Sequence, residues 1–72
     1  MYHALMQNGN PIGTKIKARR EELGITQETL SRVAQVDGMT VRRVEAGNHE
    51  PSIRILRKLA TALNVPIAYF FI

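Results

Sequence analysis

Apolar residues recur along this chain at intervals of three and four, in short runs separated by helix-capping and helix-stopping residues. In "NPIGTKIKARREEL", Asn10 stands as an N-cap and Pro11 at the first helical position, where its missing N–H costs nothing. Ile12, Ile16 and Leu23 fall on one side of that helix, and Gly24 suits a left-handed C-cap. In "TQETLSRVA", Thr26 caps and Glu28 occupies the first turn, where the helix dipole favours an anion. Leu30, Val33 and Ala34 form its apolar stripe. "QVD" interrupts the pattern, and Asp37 is a strong N-cap for a third helix, "GMTVRRVEA", with Val41 and Val44 turned inward and Gly47 as its stop. Pro51 holds the loop "NHEPS" extended, and Ser52 caps a fourth helix that carries Ile53, Leu56, Leu59, Ala60 and Leu63. Pro66 fits the first turn of a short fifth helix, "PIAYFFI".

No stretch alternates residue by residue as a half-buried strand does. The pattern therefore predicts an all-α domain of five short helices over residues 11–72, preceded by a flexible N-terminal tail over residues 1–10. At 72 residues the chain is one domain at most, and a domain of this size buries only about 60% of its unfolded surface. Tyr69 or Phe70 is expected to close the core. That leaves Phe71 and Ile72 exposed, either as a dimer interface or as the junction to a further domain or protein partner.

Composition narrows the chemistry. There is no cysteine, which removes disulfides and cysteine-based zinc sites and agrees with a reducing cytoplasm. The two histidines, His3 and His49, are far apart and lack a metal-ligand spacing, so neither metal nor cofactor is expected. No serine–histidine–carboxylate set, cysteine–histidine pair or phosphate loop is present, so an enzyme is not expected. No apolar run approaches the ~20 residues that span a bilayer, and "MYHALMQNGN" has no basic region ahead of its apolar patch, as a secretion signal would. Ten Lys and Arg against six Asp and Glu give a net charge of +4. That balance favours a polyanionic partner, nucleic acid before an anionic membrane surface.

The second and third helices are each about nine residues long by this reading and are joined by a few residues, the outline of a helix-turn-helix, whose second helix enters the major groove. Over "LGITQETL", "VRRVEAG" and "PSIRILRKLATALNV" the chain resembles the phage repressor and Cro class of helix-turn-helix proteins, the Xre-like group. The resemblance runs from Ile12 to Phe70 without a gap. It implies a compact five-helix, lambda-repressor-like DNA-binding domain, usually a homodimer, that represses or activates transcription; a repressor is the expectation here. It also implies roles by position. Gln27 matches a glutamine that contacts the DNA backbone and sometimes a base. Gly38, Met39 and Arg43 match positions facing base edges. Asn48 and Arg54 lie where the backbone is gripped, and Arg20 and Glu45 match a salt bridge between the first and third helices.

Helical geometry agrees in part. With Val41 and Val44 inward, Gly38, Met39, Arg42 and Arg43 lie on the outer face. Arg43 is the expected guanine reader, and Arg42 a flanking-base or phosphate contact. Met39 either presses on a thymine methyl or fills the edge of the core, and Thr40 bonds either a phosphate or its own helix. Thr26 joins the expected backbone contacts. Two departures from the family pattern stand out. Gln35 occupies the turn position where the family places a left-handed glycine, and Gly38 offers no side chain at the leading edge of the third helix, directly after the acidic Asp37. Specificity is then expected to rest on Arg43, Gln27 and DNA shape. The alternative is a protein–protein interaction module on the same scaffold, without specific DNA readout.

Overall fold

The computed structural model describes residues 11–72; the expected Asn10 cap and the tail over residues 1–10 lie outside the described residues. Four α-helices follow one another: α1 (Pro11–Glu22), α2 (Gln27–Ala34), α3 (Gly38–Ala46) and α4 (Ile53–Leu63). A 3-10 helix, Ile67–Phe71, closes the described chain, and no strand occurs among the described residues. The fifth element is thus a 3-10 helix and not the expected α-helix. Its first bond runs from Tyr69 N–H to the Pro66 carbonyl at 2.9 Å, an i to i+3 closure. Five residues after a proline give too short a run for an α-helical ladder.

The helix starts are set by local side chains. Thr26 Oγ1 accepts from the Thr29 N–H at 3.0 Å, and Asp37 Oδ2 accepts from Met39 and Thr40 at 3.0 and 3.3 Å. Ser52 Oγ accepts from Ile55 at 3.2 Å. Each satisfies a donor that the first helical turn leaves without a backbone partner. At the other ends, Gln35, Gly47 and Asn64 all take the left-handed conformation, with φ of 58°, 81° and 59°.

The core is built from one face of each helix: Ile16 of α1, Leu30 and Ala34 of α2, Val41 and Val44 of α3, and Leu56, Leu59, Ala60 and Leu63 of α4. Phe70 closes it, while Tyr69 is only half-buried. Three expected core residues are exposed instead. Leu23 lies past the end of α1, in the turn. Val33 is 60% exposed because an eight-residue helix buries a narrow face, here Leu30 and Ala34. Ile53 is the first residue of α4 and projects outward. In the opposite sense, Val36, within the apparent break "QVD", is buried. Its N–H bonds back to the Ser31 carbonyl at 3.0 Å. A left-handed residue at the end of a helix folds the next side chain onto that helix, which makes Val36 a core residue.

The most intimate contact joins α1 to α3. Gly13 is buried, and a Cβ at this position would overlap the Val44 carbonyl oxygen and lie 3.2 Å from Glu45 Cα. Only glycine lets the two backbones approach this closely.

Candidate nucleic-acid interface

The turn between α2 and α3 is what aims α3. Gln35 adopts φ 58°, ψ 46° at the position where the resemblance led us to expect a left-handed residue. Its carbonyl receives Lys58 Nζ at 3.4 Å, which ties the turn to α4. With Val41 and Val44 fully buried on one side of α3, the opposite side carries Gly38, Met39, Arg42 and Arg43, all exposed.

That outer side has two flanks. Gly38 and Arg42, four residues apart, face the start of α2. Together with Thr26, Gln27, Glu28 and Ser31 they line a groove of ≈ 440 Å³. Met39 and Arg43, again four apart, share the other flank and lie outside that lining. Met39 is 47% exposed, so it does not act as a core filler. Thr40 is half-buried, and Asn48 and Arg54 are exposed. The groove therefore brings together Thr26, Gln27, Gly38 and Arg42 from the expected site, while Met39, Thr40, Arg43, Asn48 and Arg54 stand apart from it.

The charges fall into two groups. Among the described residues, salt bridges join Arg19 to Glu22 and Arg20 to Glu45. Arg42 and Arg43 take part in neither, so their guanidinium groups are available to an outside anion. Arg20 and Glu45 meet in two bonds, 2.7 and 3.1 Å, with side chains 11% and 2% exposed. Arg20 also donates to the Ile25 carbonyl at 2.8 Å. The hydrogen bond to Glu45 holds the Arg20 guanidinium above its ordinary pKa, against the opposing effect of burial. This pair braces α1 against α3. Two other basic residues of α1 are also engaged internally: Lys15 Nζ sits 4.6 Å above the centre of the Tyr69 ring, and Arg19 donates to the Leu63 carbonyl at 3.0 Å.

Sequence reasoning missed two parts of this site. One is Gly13, which seats α1 on α3 and so sets the height of α3. The other is a hydrogen bond from Gln27 Nε2 to Glu45 Oε1, 3.0 Å, which joins an expected DNA contact to the structural pair. No short motif carries either signal, because the partners lie far apart along the chain.

A domain of this architecture is a helix-turn-helix domain, and the model of the helix-turn-helix family matches residues 16–70; the chain belongs to that family. It is 38% identical over 60 residues to an uncharacterised transcriptional regulator in the ATPase CF(0) region of Rhodospirillum rubrum, across 83% of this chain and 56% of the relative. It is 36% identical over 59 residues to an uncharacterised helix-turn-helix-type transcriptional regulator of Archaeoglobus fulgidus, across 82% of this chain and 84% of that one. The chain spans about half the length of several relatives, 56% of the Rhodospirillum protein and 43% of a Sinorhizobium medicae regulator. Among solved structures it is similar to the restriction-modification controller protein C.AhdI from Aeromonas hydrophila. That similarity has a TM-score of 0.83 and 32% identity, over 86% of this chain and 94% of that one. No helix among the described residues is long and apolar enough to cross a membrane.

Proposed function

We propose that this chain is the sequence-specific, double-stranded-DNA-binding unit of a transcriptional regulator, acting as a repressor in the cytoplasm, with residues 38–45 of α3 in the major groove. The observation that carries this reading is the placement of Arg42 and Arg43. Both are exposed on the face of α3 opposite the buried Val41 and Val44, and neither is paired with a carboxylate among the described residues. Arg43 is the base reader, gripping guanine O6 and N7 with two bonds. Arg42, Gln27, Gly38 and Met39 complete the base-facing set, Gly38 by letting the backbone approach and Met39 by pressing on a thymine methyl. Thr26, Thr40, Asn48 and Arg54 contact the sugar–phosphate backbone, which positions the domain without reading sequence.

Phe71 and Ile72, 58% and 83% exposed, lie beside Pro11, Ile12, Lys15 and Phe70 around an apolar groove of ≈ 340 Å³. A homodimer through this end would set two copies of α3 about 34 Å apart, one turn of DNA. The same apolar end is what favours the second reading, a protein-interaction module or a junction to a further domain or partner.

Selection from random duplexes at two salt concentrations tests the proposal. DNA recognition gives a consensus, with affinity falling steeply as salt rises. Arg43→Ala then relaxes one base pair, while Arg54→Ala weakens all sequences alike. A symmetric consensus supports the dimer. Salt-insensitive binding, or no duplex binding, rejects DNA recognition in favour of the docking reading.

A further inference from the structure

Of the large apolar side chains left exposed, Met39 stands on the outer side of α3, and Phe71 and Ile72 at the apolar end. Leu23, Val33 and Ile53 belong to neither. Two of these, Leu23 and Val33, sit in surroundings of opposite charge.

Val33 lines a cleft of ≈ 390 Å³ between α2 and α4, together with Ala34, Arg57, Lys58, Thr61 and Ala62. No carboxylate is among the lining residues. Lys58 Nζ makes one long bond, 3.4 Å, to the Gln35 carbonyl. The Arg57 side chain makes no hydrogen bond or ion pair among the described residues. An apolar floor with two cations beside it fits an apolar side chain flanked by carboxylates. DNA is the wrong occupant, since phosphates would leave Val33 and Ala62 without apolar cover. The cleft also lies away from the groove at α3: Val33 and Ser31 stand on opposite sides of the buried Leu30–Ala34 stripe, and Ser31 lines that groove.

The chain carries the matching surface itself. Glu21, Glu22 and Leu23 are consecutive and exposed where α1 ends, and Leu23 is 41% exposed. The turn that presents them is held by bonds from Leu23 N–H to the Arg19 carbonyl and from Gly24 N–H to the Glu21 carbonyl, 3.1 and 3.0 Å. The Glu21 carboxylate makes no hydrogen bond or ion pair among the described residues, although Arg20 feels its charge. Glu22 pairs with Arg19, but its side chain is 65% exposed, and a pair so open to water holds it weakly. None of the three lines the cleft, so the two surfaces do not meet within one chain.

We propose that the cleft between α2 and α4 is a docking site for a second copy of this chain, which sets Leu23 against Val33 and Ala62 and brings Glu21 and Glu22 to Arg57 and Lys58. The contact is heterologous, with a different surface on each side, so each copy keeps one surface open for a further copy. It is separate from the two-fold pairing proposed through Phe71 and Ile72, and it needs no DNA. One turn in one cleft is far smaller than the about 1,200–2,000 Å² that a stable interface buries. The association is therefore weak and weakens further with salt.

Methyl and amide NMR over a dilution series to millimolar protein tests it. In the wild type, signals of Leu23, Val33 and Ala62 should shift together with concentration; shifts at Phe71 and Ile72 report the other pairing. Leu23→Lys spoils only the inserted turn and Arg57→Glu only the cleft, and each should weaken the association by about tenfold or more. Circular dichroism checks that both are folded, and Glu21→Lys replaces Leu23→Lys should that variant unfold. The decisive sample is a mixture. Labelled Leu23→Lys keeps an intact cleft, and unlabelled Arg57→Glu keeps an intact turn. Adding the second to the first should restore the shifts at Val33 and Ala62, whereas adding unlabelled Leu23→Lys should not.

Concentration-independent signals at Leu23 and Val33 in the wild type overturn the proposal. So do variants that associate as the wild type does, and a mixture that restores nothing, which is the result of a symmetric contact. Shifts confined to Phe71 and Ile72 overturn it as well and leave the two-fold pairing in place. Because no duplex enters the experiment, none of these results bears on DNA recognition, and failure to bind DNA leaves this contact standing.

Discussion

Replacing Gly13 with alanine tests how α1 seats on α3, and two familiar effects give it opposite signs. Helix propensity alone makes the change stabilising, by up to about 1 kcal/mol. The structure says otherwise. The new Cβ would overlap the Val44 carbonyl oxygen and crowd the Val44 carbonyl carbon at 3.1 Å and Glu45 Cα at 3.2 Å. All three are backbone atoms of α3, so no rotamer change relieves them. The Val44 carbonyl also receives the Gly47 N–H at 3.1 Å, so pushing it aside strains the C-cap as well. The remaining relief is for α1 and α3 to separate by about 1 Å or more, which opens the packing around Ile16 and Val44 and stretches the Arg20–Glu45 pair. Overpacking of this kind costs about 1–3 kcal/mol and occasionally more. With rigid backbone on one side, the upper end applies, and the net loss is about 2 kcal/mol or more. A chain of this size has about 4–11 kcal/mol in total, and each kcal/mol moves Tm by about 4–8 °C. Thermal and urea unfolding followed by circular dichroism should therefore show Tm lower by about 8–16 °C. A Tm equal to or above that of the wild type would refute the close approach of α1 to α3.

What is legible in the sequence, and what is not, follows from the distance over which each interaction acts. Thr26, Asp37 and Ser52 can be recognised as caps because each accepts from an N–H two or three residues further on. Gln35 is readable as the left-handed residue once the chain is matched to the family pattern. Leu23, Val33 and Ile53 mislead because spacing identifies the side of a helix and not where the helix ends or how wide a strip it buries. Val36 was hidden by its place in an apparent break, although an apolar residue directly after a left-handed cap is a usable signal. Gly13 had no local signal at all, since the atom that excludes a side chain belongs to α3. The outer face of α3 was legible from Val41 and Val44, which fix its orientation. The tie between Gln27 and Glu45 was not, because each residue had its own role by position and only the fold brings the two together. Likewise Lys15 and Arg19 share a helix face in the sequence, yet the fold turns one onto an aromatic ring and the other onto a carbonyl.

The remaining variants probe the turn, the buried pair and the head of α3. Gln35→Gly relieves a left-handed strain of about 1–2 kcal/mol but restores about 0.4–1 kcal/mol of unfolded-state entropy, so chemical denaturation should show stability unchanged or slightly raised. A clear fall in Tm would mean that the Gln35 side chain supports the turn. Arg20→Ala leaves Glu45, 2% exposed, with Gln27 as its remaining side-chain partner, and should lower unfolding stability by about 3–5 kcal/mol; a loss below 1 kcal/mol would show the carboxylate to be well solvated. Asp37→Ser bears on what α3 is for. Serine and aspartate cap about equally well, so the bonds to Met39 and Thr40 survive and stability should change little, with some loss of favourable helix-dipole charge. What disappears is a negative charge at the leading end of the helix assigned to the groove. If that end approaches phosphates, removing the charge should raise duplex affinity a few-fold at low salt, and the gain should fade as salt screens it. Titration of one duplex at two salt concentrations reads both effects. Unchanged affinity at low salt would place the head of α3 away from the DNA, and an affinity that fell would mean Asp37 itself makes a favourable contact. The first result contradicts the proposed docking of α3 and the second the expected repulsion at its head, whereas a salt-sensitive gain is not expected from a face that meets only protein.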